Sequence, residues 1–141
     1  MQGNLADTYD KLGRSEEALR IYREVYAARL RLHGPREAKT LHAASNLSDQ
    51  LCQMALLAEA KQFLSEQIPL FYDVCGTDDL ETIKMRWRYA GVLSQQNEGN
   101  HTEAVATLED VVRRCRRILG NQHPLTARAQ NMLELSRRGT K

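Results

Sequence analysis

Apolar residues recur at three- and four-residue steps along most of the chain, the spacing that lines one face of a helix. The first clear stripe is Ala18, Ile21, Tyr22, Val25, Tyr26 and Leu30. Ser15 stands before it as an N-cap, and Gly34-Pro35 follows as a stop signal. The next helix starts near Glu37 and carries Leu41, Ala44, Leu47 and Leu51. Later, Ile83, Ala90 and Leu93 mark one helix, and Val105, Leu108, Val112 and Leu119 another, closed by Gly120. Thr126 to Arg137 reads as a last helix. The pattern predicts seven helices: a partial first one, three pairs across loops, and a terminal one. Strands are not expected, because β-branched runs are nearly absent and Leu, Ala, Glu, Arg and Gln favour helix.

The stripes belong to a repeat. Asn4-Leu5-Ala6-Asp7 returns forty-two residues later as Asn46-Leu47-Ser48-Asp49. Glu17-Ala18, Glu59-Ala60 and Glu103-Ala104 recur in steps of 42 and 44. Gly34, Gly76 and Gly120 keep the same steps, and each is followed six residues on by a threonine, Thr40, Thr82 or Thr126. The two extra residues of the third unit fall between Leu93 and Glu103, at Asn97-Glu98-Gly99-Asn100, where a loop absorbs length at small cost. The expected organisation is a single domain of repeats 4–36, 37–78 and 79–122 with a terminal helix 123–138. One hairpin cannot bury its apolar face alone, whereas stacked neighbours can. Small Ala18, Ala60 and Ala104 would let paired helices approach closely.

These residues resemble the tetratricopeptide repeat. The carrying segment is Leu5-Ala6-Asp7-Thr8-Tyr9, then Gly13-Arg14 and Glu17-Ala18. The forty-two-residue period is similar to the kinesin light chain variety, as is the turn Gly120-Asn121-Gln122-His123-Pro124-Leu125-Thr126. The second unit departs from the pattern, with Leu51 in place of Tyr9 and Ala55 in place of Gly13. The resemblance implies an all-α fold, a right-handed superhelix of about three helix-turn-helix repeats plus a terminal helix. It also implies that the first helix of each repeat lines a concave groove for peptides. By register the groove positions are His42, Ser45, Asn46, Asp49 and Gln53, then Lys84, Trp87, Arg88, Gly91 and Gln95, then Arg128, Asn131 and Arg138. Some relatives clamp a C-terminal carboxylate with five polar residues. Asn46, Lys84 and Arg88 match three of those places, while Gly3 and Asp7 do not match, and Asp7 would repel a carboxylate. A full clamp is therefore not expected. Acidic side chains remain suitable guests, because arginine forks carboxylates well.

Charge changes this picture only locally. The net charge of +2 is too small to argue for nucleic acid. The excess sits at the end: residues 101–141 hold eight basic residues (Arg113, Arg114, Arg116, Arg117, Arg128, Arg137, Arg138, Lys141) against four acidic ones. Arg113-Arg114-Cys115-Arg116-Arg117 could be a phosphate-binding patch, but consecutive residues wrap around a helix and cannot all address one groove. A solvated outer face is the simpler reading. Trp87 is either a groove anchor or a residue packed between helices.

Candidate chemistry is sparse. Cys52, Cys75 and Cys115 have no paired spacing, and His33, His42, His101 and His123 are dispersed, so neither a metal site nor a disulfide framework is expected. His123 is better explained by the turn before Pro124. Cys52 reads more simply as a small apolar residue than as a reactive thiol. No nucleophile elbow, phosphate loop or Cys–His element is present. The sequence thus predicts a non-catalytic, cofactor-free cytoplasmic protein that binds a protein or peptide partner, with no membrane segment. Two alternatives stand beside it. One is a sub-array that self-associates or stacks on further repeats; the other is nucleic-acid binding through the arginine-rich third hairpin.

Overall fold

The computed structural model describes residues 4–96 and 101–138, with side-chain surroundings from residue 13 onward. Gly3, the loop insert Asn97–Asn100 and the side chain of Asp7 lie outside the described residues. Among those described, the chain is all-α: α1 (Asn4–His33), α2 (Ala38–Gln53), α3 (Leu57–Val74), α4 (Leu80–Gln96), α5 (His101–Leu119) and α6 (Pro124–Arg138). They fall into two compact units, Met1–Leu56 and Leu57–Lys141.

In the first unit, α1 packs on α2. Leu19, Leu41, Ala43, Ala44, Leu47 and Leu51 form its buried apolar set among the described residues. The amide of Gln50 donates from α2 to the Ser15 carbonyl at 3.2 Å. Here the structure corrects one expectation. No turn interrupts the chain at Gly13–Ser15, so six helices are described rather than seven, and Ser15 lies inside α1 instead of capping a helix. The physical reason is that the segment contains no proline, and a lone glycine costs a helix only about 1 kcal/mol. One consequence is visible on α1. Ala60 and Ala104 are fully buried, whereas Ile21, Val25, Leu30 and Leu32 of α1 keep much of their surface exposed.

The second unit contains α3–α6, packed in sequence, with α4 also touching α6. Its core joins Ile83 and Ala90 of α4 to Leu108, Val111, Val112 and Cys115 of α5 and to Ala129 and Leu133 of α6.

The repeated glycines and threonines have distinct mechanical roles. Gly34, Gly76 and Gly120 have φ of 84°, 94° and 91°, a region side chains rarely enter. Each donates its N–H back to the helix it ends, Gly34 to Leu30 at 2.9 Å and Gly120 to Arg116 at 3.0 Å. In the first two turns the threonine then ties the next helix to the one just ended, while Thr126 is buried with no hydrogen-bond partner for its Oγ1 among the described residues. Thr40 Oγ1 donates to the Arg29 carbonyl at 3.2 Å, and Thr82 Oγ1 to the Phe71 carbonyl at 3.4 Å. A third column appears between them. Glu37 accepts from the Lys39 N–H at 2.9 Å, Asp79 from Glu81 at 2.9 Å, and His123 Nδ1 from Leu125 at 3.1 Å. Each caps the helix that follows.

Ala55 stands at the end of α2 with φ 57°. Its N–H reaches Cys52 and that of Leu56 reaches Leu51, both at 3.0 Å, which makes a two-bond helix stop. Gly13 and Ala55 therefore call for opposite substitutions with the same expected result. Gly13→Ala should stabilise the first unit by about 1 kcal/mol, since an added Cβ meets nothing within 4 Å and the residue is helical. Ala55→Gly should stabilise by a similar amount, relieving a left-handed residue (about 1 kcal/mol). Thermal unfolding of both variants checks this. A lower midpoint for Gly13→Ala would show that the chain turns at residue 13 after all.

Candidate functional site

In the first unit, His42, Asn46, Asp49 and Gln53 share one face of α2 at spacings of four, three and four. His42 and Gln53 are exposed, and Asn46 and Asp49 are half-buried. The Gln53 amide donates to the Asp49 carboxylate at 2.9 Å. Ser45 is different: it is buried, and its carbonyl accepts from Ser48 Oγ at 2.9 Å. Its side chain is not offered to solvent.

The more developed face lies in the second unit, on α4 and α6. Trp87 is packed between helices, the second of the two readings the sequence left open. Its ring packs against the α4–α5–α6 core, and its indole N–H points at the Met132 sulfur, 2.9 Å away. The Arg128 guanidinium lies over the same ring, 5.4 Å from its centroid, a cation–π distance. Gly91 borders the same seam, and a Cβ there would meet the Met132 side chain at 3.7 Å, an ordinary contact distance. Further along, Ser94 Oγ and Ser136 Oγ are hydrogen-bonded at 3.0 Å. These contacts fix α4 against α6 and hold the surrounding polar groups in place.

Around the seam stand three cations. Lys84 is one-third exposed and pairs loosely with Glu81 at 3.7 Å. Arg88 is half-buried and reaches the Met85 sulfur at 3.4 Å. Arg128 is exposed and makes no ion pair with a described residue. Gln95 and Asn131 are exposed amides on the same helices. Two residues of this face were not singled out from the sequence. Met132 carries the Trp87 contact, and Leu135, 65% exposed, follows Arg128 and Asn131 at helical spacing. That spacing was the available signal. Arg138 is exposed at the end of α6.

Three of the four arginines in the α5 run are bound to carboxylates, and the fourth to an amide. Asp110 accepts from Arg113, from Arg114 Nε at 2.8 Å, and from Arg86 of α4. Asp78, in the turn before α4, accepts from Arg114 and from Arg117 at 2.8 Å. Arg116 donates to Gln130 of α6. Burial pushes the Asp110 carboxyl up, but hydrogen bonds from Arg114 and Arg86 outweigh it and hold the pKa at about 2. Asp78 is likewise lowered, chiefly by its bond from Arg114. Arg86, Arg114, Arg116 and Arg117 thus knit α4, α5, α6 and one turn together, while Arg113 pairs within α5.

Cys52, Cys75 and Cys115 are free thiols. Burial raises Cys115, and burial with nearby Asp79 and Glu81 raises Cys75, which favours the unreactive thiol form. Among the described residues, no three His, Cys, Asp or Glu side chains are grouped to hold a metal, and no helix is long and apolar enough to cross a membrane.

A family model described as tetratricopeptide repeat matches residues 1–36 and 93–125. The first stretch spans the first repeat of the sequence pattern and the second the later part of the third, from Leu93 onward, and the unmatched stretch contains the second repeat, the one with Leu51 and Ala55 at signature places. The match supports a tetratricopeptide repeat protein, a class whose repeats are generally protein-protein interaction modules and not catalysts. No curated protein matches the chain.

Proposed function

We infer that this tetratricopeptide repeat chain is an adaptor or scaffold that holds an extended, acidic segment of a partner protein on the α4–α6 face. The observation that carries this reading is Arg128 stacked on Trp87. The ring orients the guanidinium while leaving its N–H edges to fork a carboxylate. Lys84 and Arg88 add positive charge along α4, and exposed Leu135 offers an apolar contact for an aromatic or aliphatic neighbour. Gln95 and Asn131 can bond the peptide backbone. His42, Asn46, Asp49 and Gln53 would supply the corresponding face in the first unit. The forty-two-residue period favours the kinesin light chain variety of the repeat, and free thiols with no paired spacing suit a cytoplasmic setting.

Arg88→Glu is expected to weaken binding of an Asp/Glu-rich peptide selected by display at least about tenfold, as like charges replace unlike ones. The helical signal and unfolding midpoint should stay close to those of the parent. Equal affinity of both proteins in a titration would remove the α4–α6 face from the binding site.

A second reading is favoured by α1, where Ile21, Val25, Leu30 and Leu32 are exposed apolar residues on one helix. Such a surface suits stacking on further repeats or on a second copy. Sedimentation over a range of concentrations separates the two, and a strictly monomeric species would count against self-association. Nucleic-acid binding is disfavoured because the α5 arginines already serve Asp78, Asp110 and Gln130.

A further inference from the structure

On the other flank of α4, a cleft of about 270 Å³ opens between α3 and α5. We propose that this cleft receives a single basic side chain, arginine or lysine, from a protein segment crossing α3 and α5. Its size is below the range of about 300–1,000 Å³ usual for small-molecule sites, and suits one long side chain. Its walls include Ile68, Pro69, Tyr72 and Tyr89, which offer an aliphatic stem both apolar and aromatic surface.

The polar groups select the charge. Glu103 of α5 lines the cleft, is exposed, and makes no ion pair with a described residue. Pro69 sits inside α3 and has no N–H, so the Ser65 carbonyl one turn earlier lacks its ordinary helix partner. Ser65 lines the same cleft. The Glu103 carboxylate and the Ser65 carbonyl are both acceptors, which suits a cationic donor. The one cation on the wall, Arg86, is only 14% exposed and is engaged by Asp110. The Tyr89 phenol is held above its usual pKa by burial and by the nearby Glu103 charge, so it stays neutral and keeps a face for a cation. The chemistry is opposite to that of the α4–α6 face, and the inference does not depend on what binds there.

The test is titration of the isotope-labelled chain with Nα-acetyl-arginine amide, followed by amide chemical shifts. Saturable shifts are expected at Tyr72, Tyr89 and Glu103, with Nα-acetyl-glutamate amide producing none. Glu103→Gln should weaken the arginine probe about fivefold, the effect of discharging one acceptor. Tyr72→Leu, at an exposed position that the fold does not need, should weaken it as well, and Arg88→Glu should leave it unchanged. Unaltered affinity in both Glu103→Gln and Tyr72→Leu, or saturable binding of the glutamate probe at these amides, would overturn the proposal.

Discussion

Leu108→Ala should destabilise the second unit by about 3 kcal/mol, the mid-range for deleting three carbons from a well-packed core. Leu108 has no exposed surface and lies where α4, α5 and α6 meet, among Ile83, Val111, Val112, Ala129 and Leu133. Alanine there would leave a void that three helices cannot close at once, because each is already fixed by other contacts. Ser94 and Ser136 hold α4 to α6, and Arg137 holds α6 to Glu109 of α5 at 2.9 Å. Leu135→Ala is the matched control: the residue is 65% exposed, and its loss should cost under about 0.5 kcal/mol. Urea unfolding followed by helical signal reads both. A cost below about 1 kcal/mol for Leu108→Ala would mean that the three-helix junction relaxes freely. The same junction seats Trp87, so Leu108→Ala should also weaken any partner held by Arg128 and Trp87.

The parts of this architecture that were legible in the sequence are those where one residue type alone satisfies the backbone. Gly34, Gly76 and Gly120 stand at positive φ, and Thr40 and Thr82 reach back to a helix-terminal carbonyl. The glycine need recurs in all three repeats and the threonine bond in two, while Thr126 keeps the register as a buried residue whose Oγ1 has no partner among the described residues. The capping column Glu37, Asp79 and His123 obeys the same steps of 42 and 44 but uses three residue types, which hides it. Any side-chain acceptor serves there, including an imidazole nitrogen. The unbroken α1 was not legible, because glycine permits a turn without requiring one.

The candidate site was legible in register but less so in detail. His42, Asn46, Asp49 and Gln53 share a face as the period dictates, yet Ser45, one position away, is buried because α2 buries a wide arc that includes Thr40, Leu41, Ala43 and Ala44. Trp87 could not be assigned from its own helix. Its environment comes from Met132 and Arg128, more than forty residues away. The fate of the arginine run was half visible. Asp110 lies three and four residues before Arg113 and Arg114, a helical ion-pair spacing. Asp78 is brought to Arg114 and Arg117 only by the fold.

That network gives the second large effect, a loss of stability in acid centred on Asp110. Its carboxyl has a pKa of about 2 when folded against an ordinary 3.8. A group with a depressed folded pKa stabilises the fold where it is ionised in both states, and that stabilisation fades as pH falls. Above about pH 4 the contribution should be fully present, roughly 2 kcal/mol from the shift after allowing for slight exposure. Between about pH 4 and pH 2 it should disappear as the unfolded chain takes up the proton first. Asp110→Asn removes the titration and the charge together. At pH 7 the variant should be less stable by about 2 kcal/mol or more, because Arg86, largely buried, loses its counter-charge. Its stability should then fall less steeply than the parent's between pH 5 and pH 2. Asp78 contributes in the same direction, since its carboxyl is also lowered, so some slope remains in the variant. Urea unfolding at a series of pH values reads the difference. If parent and Asp110→Asn lose stability in parallel over that interval, Asp110 is not the group that couples α4 and α5 to pH.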